Sequence, residues 1–92
     1  MAWTLKYSRQ FKKDLKRYQN DSEKIEHLQV ALGYLSESGV MPAEYKPHLL
    51  RGNYEGFMEC HIENDFLLIW IDESSKEIRL TRLGSHSELF KK

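Results

Sequence analysis

The chain has 92 residues, 40% of them hydrophobic and 30% charged, which is the composition of one soluble globular domain. Its 14 basic and 14 acidic residues cancel to a formal net charge of zero, which excludes binding to polyanions through overall charge. Its single cysteine excludes an internal disulfide, and no stretch approaches the roughly 18 apolar residues of a membrane span, so we expect one cytoplasmic domain over residues 1–92.

The first half of the chain predicts a strand followed by two helices. Alternating apolar and polar residues predict the strand over residues 2–7. Apolar residues three and four positions apart predict a helix over residues 9–18 with Ser8 as its N-cap. Residues 20–22 break this helix and can cap a second one, which runs to about residue 38 and which Gly39 ends. Two helices joined by so short a connection should lie antiparallel.

The first predicted helix also concentrates the positive charge that the whole chain lacks. Its polar faces carry one acidic residue, Asp14, and five basic ones. The basic residues are Arg9, Lys12, Lys13, Lys16 and Arg17. Two interpretations stay open, a solvated helix face and a contact surface for an acidic partner. On the second, Lys12, Lys13 and Lys16 are candidate RNA contacts.

The second half predicts four consecutive strands. A brief strand is possible within residues 49–54, and strict alternation follows over residues 57–63, with His61 on the more polar face. Residues 66–71, with the sequence FLLIWI, are apolar on both faces and therefore predict a central strand, and residues 77–83 predict the last one. Residues 85–90 follow as one helical turn or an ordered tail.

The element order β-α-α-β-β-β-β predicts an α+β fold. Four strands joined by tight turns form an antiparallel meander, and the two helices must cover one face of it. The other face should be open. Strand alternation places Arg82 on the side of Ile78 and Leu80, so it would reach the open face only from the end of its strand.

Five residues in this half could carry acid–base chemistry on a phosphodiester. Cleavage of RNA by its own 2′-hydroxyl needs a base, an acid and positive charge on the phosphate. Histidine suits the first two roles near neutral pH, and we favour His86 as the acid and His48 or His61 as the base. Arg82 suits the phosphate. Asp65 could act as a base or hold a neighbouring histidine in one tautomer.

The segment PAEYKPHLLRGNYEGFMECHIENDFLLIW, followed by RLGSHSELF, resembles the YafQ branch of the RelE/ParE superfamily of bacterial type II toxin–antitoxin toxins. The resemblance implies a RelE-like domain that cuts mRNA on the ribosome, without metal or cofactor, and so stops translation. It also implies inhibition by a cognate antitoxin, with a toxin that is monomeric alone and forms a larger assembly with its antitoxin. It implies two sets of site residues. The catalytic residues would be His48, His61, Asp65, Arg82 and His86, and the aromatic residues in contact with RNA would be Phe66 and Phe90.

The chain departs from the family pattern at two positions. Phe66 stands where the family often has tryptophan, and Met58 where it often has arginine. Three alternatives stay open: a metal site built from the histidines, a non-catalytic toxin of the ParE kind, and a binding domain that docks through its basic helix. Against the metal site, no tight ligand motif is present, and Cys60 and His61 point to opposite faces of a strand.

Overall fold

The computed structural model describes residues 3–73 and 75–90, and this part of the chain contains three α-helices and five β-strands. No helix in it is long and apolar enough to cross a membrane. The strands are β1 (Thr4–Tyr7), β2 (His48–Leu49), β3 (Met58–Glu63), β4 (Phe66–Glu73) and β5 (Glu77–Gly84). The helices are α1 (Arg9–Arg17), α2 (Ser22–Ser38) and α3 (His86–Leu89), and short 3₁₀ turns occupy Ala43–Tyr45 and Gly52–Tyr54.

The five strands form one mixed sheet in the order β1-β5-β4-β3-β2. Strands β2 to β5 pair antiparallel with their neighbours in sequence, which confirms the predicted meander. β1 pairs in parallel with β5 at the other edge, from Thr4 opposite Glu77 to Tyr7 opposite Leu80. Ala2, which the sequence placed in this strand, lies outside the described residues.

The main core lies between the sheet and the first two helices. Its helical side includes Phe11 and Leu35, and its sheet side includes Leu68 and Trp70, all at most 2% exposed. A smaller cluster on the opposite face joins Leu67 and Ile69 to Leu89 of α3, with partly buried aromatic residues around it. β4 therefore buries side chains on both faces, which confirms the central position predicted for it.

β5 carries one extra residue opposite β4. Trp70 pairs with Leu80 and Ile69 pairs with Arg82, which leaves Thr81 unpaired in a β-bulge. The bulge reverses the alternation of side chains, so Leu80 packs in the main core and Arg82 lies with Ile69 on the opposite face. The prediction that Arg82 lies on the core side and reaches the open face only from the end of its strand is therefore wrong, because strict alternation does not continue through a bulge.

The ends of the helices follow the sequence closely. The Ser8 hydroxyl accepts a hydrogen bond from the Phe11 N–H at 3.0 Å, and it donates to the Thr81 carbonyl at 3.1 Å. The predicted N-cap of α1 thus also fastens the bulge of β5. Asp21 caps α2 by accepting from the Lys24 N–H at 3.2 Å, and Gly39 ends that helix with a left-handed φ of 75°.

Candidate active site

A row of three imidazole rings lies on the sheet face opposite the main core. His48 belongs to β2, His61 to β3 and His86 to the first position of α3. The ring centroids of His48 and His61 are 6.3 Å apart, and those of His61 and His86 are 5.9 Å apart. The structure therefore brings together all three histidines that the sequence predicted to act together. The side chains of His48 and His86 are 48% and 55% exposed, so a substrate can reach them.

Asp65 holds His86 in one orientation. One carboxylate oxygen, Oδ1, accepts hydrogen bonds from the His86 backbone N–H at 2.9 Å and from Nδ1 at 2.7 Å. The backbone bond first, and the imidazole bond second, lower the pKa of Asp65, so the carboxylate stays ionised. An ionised carboxylate can only accept, hence Nδ1 carries the hydrogen and Nε2 is left to exchange a proton with a substrate.

His48 lies beside a buried glutamate. Its Nδ1 lies 3.0 Å from the Lys46 carbonyl oxygen, and its Nε2 lies 2.9 Å from Oε1 of Glu59. Glu59 is only 4% exposed, and its Oε2 has no hydrogen-bond partner among the described residues.

Sequence reasoning missed Glu59 as a site residue, although simple alternation along β3 puts it on the same face as His61. Its register opposite His48 on one side and Ile69 on the other explains both its burial and its contact. The available signal was the spacing, because residues two apart in a strand share a face. A glutamate in a strand next to the edge of a sheet is nevertheless usually exposed to solvent.

Arg82 reaches the same face with its guanidinium fixed by two neighbours. Its Nε and Nη2 donate to the two carboxylate oxygens of Asp14 at 2.8 and 3.3 Å, and Nη1 donates to the Tyr54 hydroxyl at 3.4 Å. Asp14 contributes most to raising the pKa of Arg82, which stays fully charged. Tyr54 was not predicted from the sequence as a site residue.

The chain matches the profile of a family described as the bacterial toxin of type II toxin–antitoxin system, YafQ, over residues 3–91. The chain belongs to the YafQ family. It is 35% identical over 89 residues to the mRNA interferase toxin YafQ of Escherichia coli K12, with 94% of each chain covered. These matches confirm the resemblance read from the sequence.

Two solved structures share the fold of this YafQ-family chain over almost its whole length. A chain of the E. coli DinJ–YafQ complex superimposes with a TM-score of 0.72 at 34% identity, covering 96% of this chain and 98% of that one. A metal-bound toxin from Helicobacter pylori superimposes with a TM-score of 0.80 at 35% identity, covering 96% of this chain and 99% of that one.

The two predicted aromatic contacts of the YafQ pattern have different surroundings. Phe90 is 37% exposed, and its ring centroid lies 5.8 Å from that of Tyr54 and 6.4 Å from that of His86, so it borders the histidine row. Phe66 is fully buried in the main core, with its ring centroid 4.8 Å from that of Tyr18. The prediction that Phe66 contacts RNA is wrong for this structure, because its ring has no surface to offer a base.

The basic residues of α1 are exposed, whereas Asp14 is turned into the protein and does not neutralise them at the surface. Lys12 and Lys16 line a groove of about 360 Å³ between α1 and α2, whose floor is mostly apolar. None of the site histidines lines this groove. The structure therefore does not place the predicted lysine contacts Lys12 and Lys16 at the histidine row but on a separate surface of the YafQ fold.

The donor set of the histidine row does not form a ready metal site. Within residues 3–73 and 75–90, no three His, Cys, Asp or Glu side chains converge on a point that a metal ion could occupy. Each outer histidine is instead directed by a carboxylate, His48 by Glu59 and His86 by Asp65. This arrangement suits proton transfer, because a partner on one ring nitrogen orients the imidazole and leaves the other nitrogen to exchange a proton.

Proposed function

We propose that this YafQ-family toxin is an endoribonuclease that cleaves mRNA on the ribosome without a metal ion. The observation that carries the proposal is the row of three imidazoles on the sheet face opposite the main core. One carboxylate orients His86, and Arg82 lies on the same face. The name mRNA interferase, which the E. coli relative carries, supports RNA as the substrate.

The reaction joins the 2′-oxygen of one nucleotide to its own 3′-phosphorus and breaks the bond from phosphorus to the 5′-oxygen. His86 donates the proton that the departing 5′-oxygen takes, through Nε2, because Asp65 already occupies Nδ1. His61 removes the proton of the 2′-hydroxyl. We assign this role to His61 because it stands between the other two rings, whereas both ring nitrogens of His48 already face oxygen atoms.

Arg82 stabilises the extra negative charge that develops on the phosphate oxygens as the 2′-oxygen attacks. A donor that is already fixed stabilises this charge without reorganising during the reaction. Phe90 offers an exposed ring beside His86 on which a neighbouring base can stack. The products are a 2′,3′-cyclic phosphate and a free 5′-hydroxyl, because the nucleophile belongs to the RNA and not to water.

Cleavage of ribosome-bound mRNA by the parent and by a folded His86→Ala variant tests the proposal. Loss of the proton donor should lower the rate by roughly 10²–10⁴-fold. Treating the parent toxin with EDTA, and removing the chelator before the Mg²⁺-dependent ribosomes are added, should leave its rate unchanged. His27→Ala is the matched control, because His27 is an exposed histidine that contacts Glu63 and stands outside the row. It should cleave like the parent.

Three results would contradict this mechanism. A fully active His86→Ala variant would remove His86 from it, and loss of activity on chelation would favour a metal ion in the site. A folded parent that cuts no RNA even on ribosomes would favour a non-catalytic toxin or a binding domain.

We also propose that a cognate antitoxin inhibits this chain. The E. coli YafQ structure in complex with DinJ supports a protein partner of this kind. The exposed basic face of α1 and the apolar groove beside it would accept an acidic, amphipathic segment. On this proposal the toxin acts in the cytoplasm, where ribosomes are, as a monomer that forms a larger assembly only with its antitoxin.

A further inference from the structure

A buried carboxylate lies behind the histidine face. Asp14 is fully buried on α1, and its two oxygens accept four hydrogen bonds. Oδ1 accepts from Gln10 Nε2 at 3.2 Å and from Arg82 Nη2 at 3.3 Å. Oδ2 accepts from Arg82 Nε at 2.8 Å and from the Leu83 N–H at 3.0 Å. A helix residue is thereby bonded both to the side chain of Arg82 and to the strand that carries it.

These bonds determine how many donors of the guanidinium remain for a ligand. Arginine has five N–H groups, and Asp14 takes the side-on pair from Nε and Nη2, while Tyr54 takes one hydrogen of Nη1. Two N–H groups remain, one on Nη1 and one on Nη2. Both lie in the plane of the guanidinium and can donate to phosphate oxygens.

The hydrogen bond from the Leu83 N–H fixes the backbone of β5 as well as the side chain of Arg82. Leu83 lies two residues beyond Thr81, so its N–H belongs to the stretch of β5 whose alternation the bulge has reversed. By accepting from this N–H, Asp14 holds the strand segment in the register that turns Arg82 away from the main core. Both the direction of the Arg82 stem and the rotation of its guanidinium then depend on one carboxylate.

We propose that Asp14 is a positioning residue for RNA cleavage, which fixes Arg82 so that its remaining N–H groups face the scissile phosphate. The inference rests on the proposed function, because it needs Arg82 to act on that phosphate. Without Asp14 the long arginine side chain would occupy several rotamers, and its donors would have to be ordered during each reaction. Asp14 itself is buried and does not touch the RNA.

The test is a double-mutant cycle on the toxin with ribosome-bound mRNA, in which single-turnover rates and KM are measured per folded molecule. Asp14→Asn keeps the size of the side chain but loses its charge and one of its two acceptors. We expect the maximal rate to fall by roughly 10²-fold, as when a reacting group is misplaced by about 1 Å, with KM nearly unchanged. In an Arg82→Ala background the same change should cause no further loss.

Leu35→Ala is the control for destabilisation, since Leu35 is a fully buried core residue of α2. Its folded molecules should cleave at the rate of the parent. Should Asp14→Asn not fold, the parent itself provides a second measurement by ¹⁵N NMR. The Arg82 Nε–H should give a single resonance that exchanges slowly with solvent, and a fast-exchanging, averaged signal would overturn the inference.

The outcomes separate this inference from the proposed function. If Arg82→Ala is inactive while Asp14→Asn cleaves like the parent, Asp14 does not position Arg82 and the proposed function stands. If Asp14→Asn lowers the rate by the same factor with and without Arg82, Asp14 acts elsewhere and the inference is overturned. If Arg82→Ala is fully active, the role of Arg82 fails, and this inference fails with it.

Discussion

Replacing Trp70 with alanine should remove a main support of the sheet. Trp70 is 2% exposed at the centre of β4, opposite Met58 of β3 and Leu80 of β5. An aromatic side chain of this kind buries about 150–250 Å², which at about 25 cal/mol per Å² corresponds to about 4–6 kcal/mol. Measured Trp→Ala losses in protein cores are about 3–5 kcal/mol, which agrees with this value.

The loss is large compared with the whole stability of such a domain. At about 0.05–0.15 kcal/mol per residue, a chain of this length has a free energy of unfolding of about 5–14 kcal/mol. Since about 1 kcal/mol shifts the Tm of a small domain by about 4–8 °C, the Tm should fall by at least about 12 °C. The variant should therefore be largely unfolded or insoluble at growth temperature if the parent stability lies near the lower limit.

Urea unfolding followed by far-UV circular dichroism measures this loss. Tryptophan fluorescence is unsuitable, because the variant keeps only Trp3, which reports on a different part of the fold. Val40→Ala is the control, since Val40 is 65% exposed and its removal should change stability by less than about 0.5 kcal/mol. A Trp70→Ala protein with the urea midpoint of the parent would refute the argument, because the indole would then contribute nothing to the core.

Two further predictions concern charge. Reversing Lys12, Lys13 and Lys16 to glutamate should weaken binding to the antitoxin or the ribosome. The loss should be largest at low salt, because the Debye length, about 10 Å at 0.1 M, increases as the ionic strength falls. If the variant keeps the affinity of the parent for both partners at low ionic strength, this helix face is merely solvated. Asp65→Asn should change stability only above the acid range, because bonds from His86 lower the folded pKa of Asp65. Its contribution to stability is complete above the unfolded pKa of about 3.9 and is lost as pH falls through the lower folded pKa. The melting curves of the parent and the variant should therefore converge once the pH lies below the folded pKa, and a constant gap would contradict this.

The features that the sequence predicted correctly are those that depend on local periodicity. β4 was recognisable because apolar side chains alternate onto both faces, and Ser8 and Gly39 were recognisable as caps because their conformations favour those residue types. His61 was assigned to the more polar face by simple alternation within one strand. The contact of His86 with Asp65 joins residues 21 positions apart, which periodicity could not predict; the family resemblance placed both residues in the same set.

The features that the sequence did not predict depend on contacts between distant segments. A bulge leaves no periodic signal, so nothing in the sequence of β5 indicated that Arg82 would change faces. Asp14 looked like one charge on a solvated helix, because Arg82 and Leu83, which both donate to it, lie 68 and 69 residues away in the sequence. Glu59 looked solvated for the same reason, since its burial comes from β2 and β4 on either side.

The bulge at Thr81 makes the pairing register of β5 as important for the placement of Arg82 as the composition of the strand. Ile78 and Leu80 before it belong to the main core, while Arg82 after it belongs to the histidine face. Pairing of Thr81 with Ile69 would close the bulge and bring Arg82 opposite Leu68, on the side of the main core, without changing a single residue. Removing Thr81 would also close the bulge, but it would leave Arg82 opposite Ile69 on the histidine face. The face that Arg82 occupies is therefore a property of the pairing register, which the identities of the side chains do not reveal.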